Sequence, residues 1–258
     1  MYNNLFSNIP IKRRTGKPRE SGLTVIIDRG LGLQAEKDLL DLAASYIDLV
    51  KSVSGTSALI ESQTLRAKID LYHKYKVLAF PGGLFLEYVV AKDKVREYFS
   101  DVVKTGFSLV EVSDNLIDIS SNKKCSLVKM ASQEYGLKVL GETGSKKVSS
   151  DQRKLVKDIK GCLNCGAWKV MFEAAELFEN GRFKNEVVKA ISQEVDITKI
   201  IFELPGPWIP KVTVSDIWSF QCWLIDSLGF EANIANVEPS EVICLEMERT
   251  NLEPHMKF

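Results

Sequence analysis

Eight short apolar, β-branched runs recur along this chain, and their spacing constrains the fold more than any other feature. They are LTVIID (23–28), YIDLVK (46–51), VLAF (77–80), FSLVEVS (107–113), LKVLGE (137–142), WKVMFE (168–173), KIIFE (199–203) and ANIAN (232–236). Read at Asp28, Lys51, Pro81, Glu111, Glu142, Glu173, Glu203 and Asn236, their ends lie 23 to 33 residues apart. Helical patterns fill the gaps, at 35–45, 63–76, 92–105, 121–135, 151–166, 184–195, 216–229 and 239–249. In 92–105, for example, Val95, Tyr98, Phe99, Val102 and Val103 fall on one face. Continuous apolar strands alternating with crossover helices specify a parallel sheet covered by helices. Eight such units in 258 residues predict an α/β fold, a single (β/α)8 TIM barrel. A doubly wound open sheet would want a glycine-rich phosphate turn after its first strand, and DRGLGLQ offers only Gly30-x-Gly32. The reading is one barrel over 23–250, a short basic N-terminal extension over 1–22 and a tail over 251–258.

Charge and composition narrow the function classes. Lys plus Arg (34) equals Asp plus Glu (34), which argues against a globally basic nucleic-acid binder. No stretch approaches the length of a membrane-spanning apolar helix, and MYNNLFSNIPIKRR lacks the apolar centre of a secretory signal. The expectation is a cytoplasmic protein with neither nucleic acid nor membrane as partner. Five cysteines, an odd count, argue against a disulfide framework and for a reducing compartment. Cys162-x-x-Cys165 ends a helical stretch without a second ligand pair, and His73 reads as a packing residue. Lys12, Arg13, Arg14, Lys17 and Arg19 read as a solvated tail or a strap across the bottom of the domain rather than as a nucleic-acid arm. Trp208, in ELPGPWIP, fits an aromatic lid or a rigid turn equally well.

In a barrel of this kind, polar residues at the C-terminal strand ends face the active-site mouth. Here those ends carry Asp28, Lys51, Glu111, Glu142, Glu173 and Glu203, and Asp114 follows closely on the fourth. Carboxylates crowded into one cavity repel and need a cation. Hard oxygen ligands at this density suit Mg2+, with positions left for water and substrate. A lysine at the same rim can be a counter-charge, a proton donor or a Schiff-base nucleophile. Magnesium beside a lysine points to chemistry through an enediolate-like intermediate.

The motifs SGLTVIIDRGLGL, YIDLVKSVSGTSAL, FPGGLFLEYVVAK, GFSLVEVSDN, LKVLGETGSKK, IIFELP and NIANVEPSEVICLE resemble the phosphosulfolactate synthase family, from about residue 20 to residue 250. The resemblance implies a (β/α)8 barrel that uses Mg2+ to add sulfite to phosphoenolpyruvate, giving (2R)-O-phospho-3-sulfolactate. It implies small anionic substrates and a homo-oligomer. Carried onto this sequence, it gives Lys51 and Lys146 as catalytic residues, and Asp28, Asp114, Asn236 and Arg249 as substrate-binding residues. Glu111, Glu142, Glu173 and Glu203 become the metal ligands. The pattern is not complete. Ser145 stands where the family places its proton-donor lysine, with Lys146 one position later. Ala175 stands where the family carries an arginine, GPWIP replaces a glutamine-rich loop, and Arg249 is what remains of an arginine pair. A changed acceptor fits these departures. So does a non-catalytic barrel with a partner or stress role, like plant heat-stress relatives of the family; a Schiff-base aldolase using Lys51 is the third alternative.

Overall fold

The computed structural model describes residues 6, 8–145, 150–179, 182–206, 208–209 and 211–252. Eight strands form one parallel sheet: β1 (Thr24–Asp28), β2 (Leu49–Ser52), β3 (Leu78–Pro81), β4 (Leu109–Val112), β5 (Lys138–Thr143), β6 (Lys169–Phe172), β9 (Ile200–Glu203) and β10 (Ile234–Val237). Between β6 and β9 lies a small antiparallel hairpin, β7 (Phe178–Glu179) and β8 (Arg182–Phe183). The order β3-β2-β1-β10-β9-β6-β5-β4 brings the two end strands, β3 and β4, side by side, so the sheet curls into a barrel. This is the (β/α)8 TIM barrel that the run spacing predicts.

The helices are α1 (Leu33–Ala43), α2 (Thr56–Leu59), α3 (Ser62–Lys74), α4 (Gly83–Ala91), α5 (Val95–Thr105), α6 (Ser121–Lys129), α7 (Gln152–Asn164), α8 (Asn185–Glu194), α9 (Val214–Leu228) and α10 (Val242–Arg249). Side chains alternate across each strand, and the alternation splits the core in two. Leu23, Val25, Leu49, Phe80, Leu109, Leu140, Met171, Ile201 and Ala235 fill the barrel interior, while Ile26, Val50, Ala79, Val110, Val139, Val170, Ile200 and Ile234 belong to the layer shared with the helices. The inner plug closes the barrel below the rim, so the rim is a floor-backed bowl rather than a pore.

Two expectations are corrected here. Helix α4 falls where the sequence reading placed a connection, because FPGGLFLEYVVA is apolar nearly all round and lacks the one-sided pattern that marks a surface helix. Cys125 and Cys165 form a disulfide. Cys125 lies on α6 and Cys165 caps α7, so helices on consecutive strands bring together residues that are 40 apart. An odd cysteine count does not preclude one such pair. Of the cationic N-terminal segment, Arg14, Lys17 and Arg19 bind backbone carbonyls of Gly22, Tyr46, Ala44, Ile47, Tyr75, Thr15 and Ser45. The segment is a strap on the face opposite the rim. No helix is long and apolar enough to cross a membrane among the described residues.

Candidate active site

Lys51, Glu111, Glu142 and Glu203 each stand two residues beyond an interior apolar residue of the same strand, namely Leu49, Leu109, Leu140 and Ile201. Period two therefore aims all four side chains into the bowl. The three acids are buried, and one carboxylate oxygen of each lies within 4.8 Å of the others. The Lys51 ammonium donates to Glu111 Oε1 and to Glu203 Oε1, both at 2.9 Å. Burial by itself would pull its pKa down, but Glu111, Glu203 and Glu142 hold it well above the usual value, so Lys51 stays charged.

Backbone and side-chain donors fix the acids. Glu111 Oε2 accepts from the Gly83 N–H at 2.6 Å. A Cβ on Gly83 would stand 2.5 Å from Ser113 Oγ, so only glycine lets the start of α4 come this close. Glu142 Oε1 accepts from Asn115 Nδ2. Lys124, from α6, donates to Asp114 Oδ1 at 2.7 Å and to the Glu142 carbonyl, which ties Asp114 to the edge of the site. Burial works against the Lys124 charge, yet the acidic groups around it leave its pKa raised.

Glu173 is buried on the same rim but stands outside the group of three, and its Oε1 accepts from the Ala175 N–H at 3.3 Å. Glu176 binds Ser145 N, Ser150 N and Ser150 Oγ, pinning both ends of the loop after β5. Lys146 lies outside the described residues. Asn236 adopts φ +61 at the end of β10, with its amide 3.4 Å from the Leu204 carbonyl.

Two predicted substrate ligands are elsewhere. Asp28 has the wrong parity, following Ile27 rather than occupying its inward position. Its carboxylate accepts from Gly30 N and Leu31 N and pairs with Lys68 of α3 at 2.6 Å, between sheet and helices. Arg249 lies beneath the barrel, 97% shielded, with its guanidinium on the Phe230 and Leu23 carbonyls. Arg29, which directly follows β1, lies 5.3 Å from the Trp208 ring and 3.4 Å from Glu238. Trp208 is partly exposed there, at 38%. A groove of about 1000 Å3 opens beside the site between α6 and α7, lined among others by Asp114, Lys124, Ser145, Arg153, Lys154 and Lys157.

Sequence reasoning passed over Asn115, Lys124 and Glu176. Glu176, like Glu87, carried a signal, since each is an acid inside an apolar stretch, where a carboxylate must be hydrogen-bonded to be buried.

Residues 12–254 match the family model described as (2R)-phospho-3-sulfolactate synthase (ComA). The phosphosulfolactate synthase of Methanocaldococcus jannaschii is 34% identical over 90% of this chain and 92% of its own. That of Bacillus subtilis is 30% identical over 95% and 96%. Among solved structures, a truncated 3-deoxy-D-arabino-heptulosonate 7-phosphate synthase from Thermotoga maritima superposes with TM-score 0.59 at 10% identity over 89% of this chain and 84% of that one, a likeness of fold. The chain belongs to the (2R)-phospho-3-sulfolactate synthase family.

Proposed function

We propose that this protein is a carbon–sulfur bond-forming enzyme that adds sulfite to phosphoenolpyruvate, giving (2R)-O-phospho-3-sulfolactate, with Mg2+ held by Glu111, Glu142 and Glu203. The observation that carries the reading is the charge balance of the buried rim. Three carboxylates and one ammonium leave a deficit of two positive charges, which a divalent cation fits. The donor set is all oxygen, as Mg2+ prefers. Asn115 Oδ1 is buried beside Glu142 without a hydrogen-bond partner, an acceptor ready for a bound water or a substrate donor.

In this reading sulfite attacks C3 of phosphoenolpyruvate, and the C2–C3 π pair moves toward C2 and the carboxylate. The cation, when bound, stabilises that developing negative charge. Lys51, kept protonated by its three acidic neighbours, adds a second fixed positive charge at the same place. The Gly83 N–H and the Asn115 amide hold Glu111 and Glu142 in position. A proton then arrives at C2; Ser145 occupies the family's donor position, and Lys146, one position later in the sequence, is the residue assigned to deliver it. Arg153, Lys154 and Lys157 along the neighbouring groove supply positive charge for phosphate or sulfonate.

Incubation of folded protein with phosphoenolpyruvate, sulfite and Mg2+ tests the reading by 31P NMR. A new phosphate-ester signal that a chelator suppresses is expected. Unchanged phosphoenolpyruvate with folded, metal-supplied protein overturns the assigned reaction.

A further inference from the structure

Glu87 is a charged residue in the middle of the apolar helix α4, 1% exposed, and its carboxylate is fully used. Oε1 accepts from Ser113 Oγ and from the Asn115 N–H; Oε2 accepts from the Leu116 and Ile117 N–H groups at 2.6 and 3.0 Å. Both oxygens therefore face donors from one short segment, the loop that follows β4. Such a nest of N–H groups around an anion sets the loop's backbone. The loop in turn delivers Asn115, also buried, whose Nδ2 reaches Glu142 Oε1 while its Oδ1 has no hydrogen-bond partner. One carboxamide thus donates to one of the three clustered acids and leaves an acceptor at the same place.

We propose that Asn115 is the neutral fourth member of the cation site, and that Glu87 is the positioning residue that places it. Asn115 fixes the Glu142 carboxylate through Nδ2 and presents Oδ1 to the ion or to a water on it; Glu87 touches neither and acts through the loop. The proposal rests on the metal reading above for its ligand. Glu87 is the fifth residue of α4, and its carboxylate points at the loop that follows β4.

Glu87→Gln is the discriminating change. It keeps the shape but turns one acceptor into an N–H2 facing two N–H donors. Two measurements are made on the full chain. Hydrogen exchange reads the Asn115, Leu116 and Ile117 amides and the Asn115 side-chain amide without any metal. Calorimetric titration with Mn2+ reads affinity. Protection at those amides is expected to fall in Glu87→Gln while the rest of the barrel stays protected, and Mn2+ affinity is expected to drop roughly 10–100-fold, the usual loss for an outer partner of a ligand. Asn115→Ala, which leaves the Glu87 nest intact, is expected to lose affinity while keeping the backbone protection. Adding Glu87→Gln to Asn115→Ala is then expected to cost little more, since both act through one contact. Unchanged exchange in Glu87→Gln, or lost exchange protection with wild-type Mn2+ affinity, overturns the proposal. Failure of the wild-type chain to take up Mn2+ removes the metal reading and the cation role of Asn115 with it, and the exchange data alone then decide whether Glu87 holds the loop.

Discussion

Lys51 lets three carboxylates share one buried space, and its removal exposes what the site is built to hold. Lys51→Met leaves Glu111, Glu142 and Glu203 facing one another without a counter-charge. Breaking a buried pair from one side costs about 3–5 kcal/mol. In chelator, the variant is expected to unfold at clearly lower urea than wild type, and millimolar Mn2+ is expected to restore more stability to it than to wild type. Equal urea midpoints for the two proteins in chelator would show that the acids do not depend on this lysine. Which rim residues converge was legible from parity. Lys51, Glu111, Glu142 and Glu203 share the phase of Leu49, Leu109, Leu140 and Ile201, whereas Asp28 is one residue out of phase with Val25 and so meets α3 instead. Glu173 has the right phase, and only the local turn that claims its Oε1 sets it apart, which strand periodicity does not encode.

The elements around the barrel were legible where one face is apolar and the other polar, as in α5 and α7, and α4 was missed because it is apolar nearly all round. Between β1, α1 and α3 lies a buried cluster in which Lys68 pairs with Asp28 at 2.6 Å and stands 3.3 Å from Glu36, beside Tyr72. Burial, with Asp28 adding to it, raises the Glu36 pKa. The native state then keeps a proton that the unfolded chain has already released. Stability contributed by this group is lost as pH rises from the ordinary carboxylate range through the raised value. Glu36→Gln removes that loss, so its melting point is expected to exceed wild type at pH 8, with the gap narrowing toward pH 4; a lower melting point than wild type at pH 8 would refute this. A second element-level device, the Cys125–Cys165 disulfide, joins α6 to α7 across a separation of 40 residues. Closing a loop of that length in the unfolded chain is worth up to roughly 4 kcal/mol. Reduction, or Cys125→Ser, is expected to lower the denaturation midpoint, and no change under reductant would mean that the link closes nothing the fold does not already hold.

On the scale of the whole molecule, charge is divided between two ends of one barrel. The rim gathers acids around Lys51; the opposite end gathers arginines around acids. There Asp48 accepts from Arg19 at 2.8 Å and from the Thr24 N–H at 2.9 Å, and Glu246 pairs with Arg14 at 2.6 Å. Arg249 joins that group, bonded to the Phe230 and Leu23 carbonyls. Burial, with Arg14 adding to it, pulls its pKa down to about 9, against the opposing pull of Glu246 and Asp48. The motif around Arg249 matched a substrate-binding pattern in sequence, but a one-dimensional motif does not say which end of a barrel its helix presents. The two assignments make opposite forecasts for Arg249→Met. A ligand at the mouth would raise KM for the anionic substrate and spare stability. Removing a strut beneath the barrel leaves the Phe230 carbonyl without its donor, at a cost of about 1–3 kcal/mol, while the Leu23 carbonyl keeps the Ile234 N–H and the rim stays intact. Urea unfolding is therefore expected to show a loss of that size, with Mn2+ affinity and the KM for phosphoenolpyruvate unchanged in the folded fraction. A raised KM at wild-type stability would return Arg249 to the substrate.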